Sequence, residues 1–287
     1  MPSYLVTGAS RGLGFEFIRQ LAQDPTNTVI GLVRDKGAAE EKVIAEGLSN
    51  IHIVEAQYTN YSSLKRAAEE VKEITGGGLD HLINNAAVVS HISGFKTFKD
   101  FDDDFETLEK DLLESLEINL LAVIKTVQAF IPLIRQGKQR KVLSISTGMA
   151  DLDLINATEV DFSAPYSISK GALNVAVAKY NALYKKEGIL FLAVSPGYVA
   201  TERNQGMCRR AWNGHSQTNF CKVEPPKEDA DKVAVLVQKF VEYAPHFERP
   251  LTPAESVSAV LSVLEKSSIA NGDGGAFISH LGNKQWL

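Results

Sequence analysis

The stretch YLVTGASRGLG, residues 4 to 14, opens as an apolar strand-like run and then places glycines at 8, 12 and 14. Phe15, Ile18, Leu21 and Ala22 follow at helical spacing, so a strand turns sharply into a helix. Glycine at such a turn lets the backbone fold tightly and lets a pyrophosphate approach the helix N-terminus, where unpaired N–H groups and the helix dipole favour an anion. The same glycines also suit a tight turn that binds nothing, so the cluster is weighed against the rest of the chain.

Outward from this unit, short β-rich runs alternate with longer helical patterns. The runs are TVIGLV from 28, IHIV from 51, DHLIN from 80, KVLSIS from 141, ILFLAVS from 189 and GAFIS from 275. Helical periodicity occupies roughly 37–46, 62–74, 105–136, the stretch after Ala164, 228–243 and 254–266. Strands that read as continuous apolar runs between helices predict an α/β fold: one Rossmann-like, doubly wound parallel sheet with helices on both faces. No repeat, low-complexity tract or linker divides the chain, which predicts a single domain over residues 1–287. Segments 88–104, 148–163 and 202–227 break the pattern. They lie after strands, so they are expected to gather around one crevice at the carboxyl ends of the sheet. Asp102, Asp103 and Asp104 fit a solvated run or a helix N-terminus better than a metal cage.

Composition narrows the function classes. The 287 residues are 44% hydrophobic and 23% charged with a net charge of −5, which offers no basic stripe for nucleic acid. No apolar run stands out as membrane-spanning, and the N-terminal residues lack a signal-peptide pattern; a cytoplasmic location is expected. Cys208 and Cys221 have no zinc-like or CxxC spacing, and the six histidines are scattered, so no metal site is expected.

The stretch APYSISKGALN, residues 164 to 174, puts Lys170 one helical turn after Tyr166. Leu173, Val177, Tyr180 and Tyr184 continue the same stripe, which is otherwise core-like. A lysine there either snorkels to water or does work that outweighs its desolvation. One such task is to stabilise a neighbouring phenolate, because an ammonium lowers a tyrosine pKa from its ordinary value of about 10. Ser163 and Pro165 suit the start of this helix.

Read in order, the glycine turn, NNAA at 84–87, Asn119, SIST at 144–147, Tyr166 with Lys170, and SPGYVAT at 195–201 resemble the short-chain dehydrogenase/reductase family. The resemblance covers essentially the whole chain and is strongest to carbonyl-reductase-like members. It implies reversible hydride transfer between a nicotinamide cofactor and a ketone or aldehyde, with Tyr166 as proton donor. It places Gly8, Ser10, Arg11, Leu13 and Gly14 around the cofactor phosphates and ribose, Asn85 beside the adenine-side ribose, and Val199 and Thr201 at the nicotinamide carboxamide. By the same resemblance Lys170 also bonds the nicotinamide ribose, and Asn119 links it through water to solvent. Gln57 stands where the family usually has an aspartate facing the adenine, and Ala87 replaces a glycine. An amide still accepts that hydrogen bond.

An acid at the end of the second strand would bond a free 2′-hydroxyl, whereas an arginine pairs with a 2′-phosphate. Val33 occupies the acid position and Arg34 follows, with Arg11 nearby, so NADP(H) is favoured over NAD(H); Asp35 argues the other way. The family's substrate-facing serine falls on Thr147, whose hydroxyl keeps the same donor and acceptor, with Ser146 as the alternative. The gap from Thr147 to Tyr166 implies that 148–163 bulges over the substrate. Phe95, Phe98, Phe101, Met207, Trp212 and Phe220 on the crevice loops fit a bulky, partly apolar carbonyl substrate, or minor cores that pin the loops. Val175, Ala176, Ala178, Ala182 and Leu183 give the Tyr166 helix further apolar faces, which suit a homo-oligomer seam or burial against a neighbouring helix. Two other functions fit the fold: a cofactor-binding sensor without turnover, to which Thr147, Gln57 and Ala87 point, and a non-redox epimerase or dehydratase.

Overall fold

The computed structural model describes residues 1–201 and 227–287. Met207, Trp212 and Phe220 of the expected third crevice loop, with Cys208, His215 and Cys221, lie outside the described residues. Seven strands form one sheet: β1 (Ser3–Thr7), β2 (Thr28–Val33), β3 (Ile51–Glu55), β4 (His81–Asn84), β5 (Lys141–Ile145), β6 (Leu190–Ser195) and β7 (Phe277–Ser279). Their order is β3-β2-β1-β4-β5-β6-β7 and every pairing is parallel. The order reverses between β1 and β4, which opens a crevice at the carboxyl ends of those strands.

Helices cover both faces. The first three are α1 (Gly12–Leu21), α2 (Lys36–Ala45) and α3 (Tyr61–Thr75). Next come α4 (Phe105–Leu116), α5 (Ala122–Gln136), α6 (Leu152–Thr158), α7 (Ala164–Tyr184), α8 (Lys227–Tyr243) and α9 (Pro253–Lys266). Successive strand residues point to opposite faces, so neighbours divide between two cores. Leu5, Ile30, Leu82, Val142 and Phe191 pack with α3, α5 and α7, whereas Val6, Val29, Ile83, Leu143 and Leu192 pack with α1, α2 and α9. This two-sided burial is why the strands read as unbroken apolar runs.

Three expectations are corrected. The region 105–136 is not one uniform helix: a π turn over Glu117–Leu121 separates α4 from α5, and Asn119 sits inside it. That rod is 32 residues long and apolar enough by composition to cross a membrane, contrary to the reading of the sequence. It is instead a core helix, with Val123, Val127, Phe130 and Ile134 buried against the sheet. Segment 148–163 is not all loop. It holds a 3-10 turn over Gly148–Ala150 and then α6, whose first turn is capped by the Asp151 carboxylate accepting from Leu154 N at 3.0 Å.

On α7 the Lys170, Leu173, Val177 and Tyr184 stripe is buried. Val175, Ala178, Ala182 and Leu183 are exposed and not packed under a neighbouring helix of the described chain.

Candidate active site

The glycine turn is closed on one side and open on the other. A methyl on Gly14 would sit 2.1 Å from the Gly8 carbonyl oxygen, so helix α1 starts directly against the turn. Gly8 and Gly12 have φ of +70° and +55°, conformations that favour glycine. The space beyond Gly12 holds no atom within 4 Å, and α1 begins with no side-chain cap and no acid in its first turn. No side chain caps its first-turn N–H groups, which leaves them to a ligand or solvent, as a phosphate seat requires. Leu13 is partly buried behind the turn, while Ser10 and Arg11 are exposed beside it.

Asn85 braces this turn. Its Nδ2 donates to Thr7 O at 2.9 Å and to Gly8 O at 3.5 Å, and the Thr7 hydroxyl accepts from both Asn85 N and Ala86 N at 3.0 Å. The Asn85 amide donor is therefore spent on the loop itself. Thr7, whose hydroxyl joins β1 to β4, was not singled out by the sequence.

At the end of β2, Val33 is buried and Arg34 is exposed. The Asp35 carboxylate caps α2 by accepting from Ala38 N at 3.2 Å, so the nearest acid is already engaged. Gln57 is exposed, its backbone N–H donating to Ser63 Oγ at 3.1 Å.

Thr147, Tyr166 and Lys170 gather near the end of β5. The Thr147 side chain lies beside the Tyr166 phenol, where it favours the ionised form. Ser146 points elsewhere: it is buried and donates to Asn174 Oδ1 at 2.7 Å. Adjacent strand residues face opposite ways, and here Thr147 meets the tyrosine. Lys170 is only 2% exposed and donates from Nζ to the Ile145 carbonyl at 2.7 Å. Burial lowers its pKa to about 8. Burial pushes Tyr166 up to about 12, the neighbouring Thr147 side chain offsetting this in part. The expected lowering of the phenol by Lys170 is absent, because the low dielectric around both groups disfavours either charge.

Asn119 clamps two elements together. Its Oδ1 accepts from Val88 N at 2.8 Å, and its Nδ2 donates to Val88 O at 2.9 Å and to Ser169 Oγ at 3.0 Å. Ser169 Oγ in turn donates to Tyr166 O at 2.7 Å. Both amide hydrogens are thus used by protein groups.

The first crevice loop is tied down by residues that the sequence did not flag. Ser90 and Ser93 both donate to the buried Asp111 carboxylate on α4. Farther along, Thr97 pairs with Phe162, Phe95 contacts the Phe162 ring, and Ser163 Oγ donates to Gly94 O at 3.0 Å. Ser163 starts α7 as expected, but with φ of +60° and with its hydroxyl given to the loop rather than to the helix. Phe101 is buried, whereas Phe98 is exposed. On the far side, Val199 pairs with Leu251, and Thr201 N donates to Val199 O at 3.0 Å. His280 lies against Gly197 of the same turn, with a buried Nδ1 that has no hydrogen-bond partner among the described residues. Tyr198 joins Phe240 and Phe247, and Met149, Val160 and Phe162 pack on the same cluster.

A doubly wound parallel sheet, a glycine turn open above a helix start, and a tyrosine, lysine and threonine at the same carboxyl end of the sheet define a dinucleotide-dependent oxidoreductase. The sequence model of the short chain dehydrogenases matches residues 3–211, and the chain belongs to that family. Two fungal relatives match over all of this chain and all of their own length. They are the short chain dehydrogenase virK of Hypocrea virens, at 46% identity, and the short-chain dehydrogenase/reductase AacuF of Aspergillus aculeatus, at 45%. Among solved structures, the NADPH-bound carbonyl reductase from chicken fatty liver is 27% identical with a TM-score of 0.72, the match covering 99% of this chain and 98% of that one. The carbonyl reductase Sniffer of D. melanogaster, 20% identical with a TM-score of 0.71 and the same coverage, shares the fold.

Proposed function

We propose that this protein reduces a ketone or aldehyde with NADPH, reversibly oxidising the corresponding secondary or primary alcohol. The observation that carries the reading is the gathering of Tyr166, Thr147 and buried Lys170 at the carboxyl end of the sheet, the end that also holds the glycine turn. Bound at that turn, the cofactor supplies a hydride. Thr147 and Tyr166 both offer hydroxyls to a carbonyl oxygen, and a phenol held near a pKa of 12 keeps its proton until the oxygen becomes strongly basic. Lys170 lies one turn away, and its ammonium is offered to the nicotinamide ribose, as the family resemblance implies. Val33 at the acid position, exposed Arg34 and the engagement of Asp35 in capping favour the 2′-phosphate. The name of the chicken neighbour agrees with that preference. Met149, Val160, Phe162 and Tyr198 near the proton donor favour a partly apolar substrate.

The test is NADPH consumption by purified protein across a panel of ketones and aldehydes. Wild type is expected to turn over at least one. Tyr166→Phe should retain NADPH binding and lose about a hundredfold or more in kcat, since it deletes a proton donor and little volume. Thr147→Ala should lose on the same order, the scale of one oxyanion donor, whereas Ser146→Ala should stay close to wild type. NADPH binding without turnover on any carbonyl would favour a sensor. Near-normal kcat in Tyr166→Phe would remove the tyrosine from the mechanism.

A further inference from the structure

We propose that Tyr58 is a positioning residue for the dinucleotide seat, its hydroxyl locking the first glycine of the turn to the end of β2. The inference rests on the reading that the glycine turn binds a nicotinamide dinucleotide. Tyr58 follows β3 in the loop to α3, and its ring packs against the core beneath α3 and α5. The side chain reaches across β2 toward β1. There the hydroxyl accepts from Gly8 N at 2.8 Å and donates to Leu32 O at 2.6 Å. Gly8 N and Ala9 N also donate to Leu32 O, at 3.0 and 3.4 Å. One phenol therefore joins groups from three neighbouring strands at the point where the turn begins.

Gly8 is held from the opposite side as well, because a methyl there would lie 2.9 Å from Ala86 Cα. The turn is thus gripped between Ala86 and Tyr58, and its open side is the one facing the phosphate seat. Burial raises the Tyr58 pKa to about 12, so the hydroxyl remains a donor at any ordinary pH. Leu32 stands two residues before Arg34, and the clamp fixes the spacing between the turn and the strand end that carries the arginine. The phenol itself contacts the backbone of the turn, which serves the pyrophosphate common to both dinucleotides.

The experiment is fluorescence titration of NADPH and of NADH into wild type, Tyr58→Phe and Arg34→Ala, with thermal unfolding and amide exchange of each protein. Tyr58→Phe keeps the ring in the core. It is expected to raise Kd for both dinucleotides by a similar factor, roughly three- to tenfold, the range of one or two hydrogen bonds. Amide exchange should quicken within residues 7–14 while Tm stays within about two degrees of wild type, a pattern that general loss of packing would not produce. Arg34→Ala should shift the NADPH-to-NADH preference, which Tyr58→Phe should leave unchanged. Unaltered Kd values in Tyr58→Phe, or a loss confined to NADPH, would overturn the positioning role. Should Tyr58→Phe fail to fold, Tyr58→Trp with the same titrations keeps a ring in place, and wild-type affinity in that variant would overturn the role too. Wild type that binds neither dinucleotide would instead bring down the functional reading on which the inference stands.

Discussion

Lys170 is an amine sealed in the core, and its energetics follow from that. Burial lowers its pKa from 10.5 to about 8, so between those values the unfolded chain keeps a proton that the folded chain has released. Stability contributed through this group therefore rises with pH across that window, and the full cost of burying the charge is present below pH 8. Lys170→Met removes the titration while keeping most of the volume. Denaturant unfolding from pH 8 to 10.5 should show the balance between variant and wild type moving toward wild type, by on the order of 3 kcal/mol over the window. A pH-independent difference would contradict the buried-amine account. Helical spacing stacks residues four apart, which set Tyr166 and Lys170 on one face of α7, and strand alternation separated Thr147 from Ser146. What the spacing could not show is where the ammonium donates. The Ile145 carbonyl is 25 positions away along the chain, and only the fold brings it near. Tyr58 escaped notice for the same reason, since in sequence it is one aromatic in a turn.

At the level of elements, the α4–α5 rod does two jobs from one side. Asn119, in the π turn, holds Val88, and Asp111, eight residues earlier, holds Ser90 and Ser93. The strand that leaves β4 is thus pinned along its length before it reaches Thr97 and Phe162. Asp111→Ala leaves the buried Ser93 hydroxyl without its acceptor, a loss of about 1–3 kcal/mol. Amide exchange should quicken in 88–97 and, through the Ser163 N to Lys96 O bond at 3.2 Å, at the start of α7. An increase spread evenly over the molecule would argue that Asp111 is only a packing residue. Strands buried on both faces announced themselves as apolar runs, and long helices by their period. The seven residues of α6 are too few to display a period, and a π turn disturbs the i,i+4 pattern by a single residue, which hydrophobic spacing hardly registers.

Across the whole molecule the sheet order was implicit in the alternation of strands and helices, because parallel strands need crossovers and those crossovers are right-handed. The division of the crevice was implicit too, since the reversal between β1 and β4 sets where strand tips gather. The satellite cluster of Val160, Leu236, Phe240 and Phe247 was not, because only the fold brings Val160 to the distant segment that carries the other three.

The place of β4, between β1 and β5, has a consequence for synthesis. β1 to β4 can assemble as soon as Asn84 has left the ribosome, but the far edge of β4 then has no neighbour until β5, which begins at Lys141, emerges. Throughout translation of the α4–α5 rod the nascent chain carries a bare parallel edge together with the exposed apolar side of an undocked helix. Ribosome-bound chains ending within Ala122–Gln136 should cross-link strongly to a holdase chaperone, and chains extended past β6 should release it. Equal cross-linking at both lengths would show that the edge is shielded before its partner strand is made.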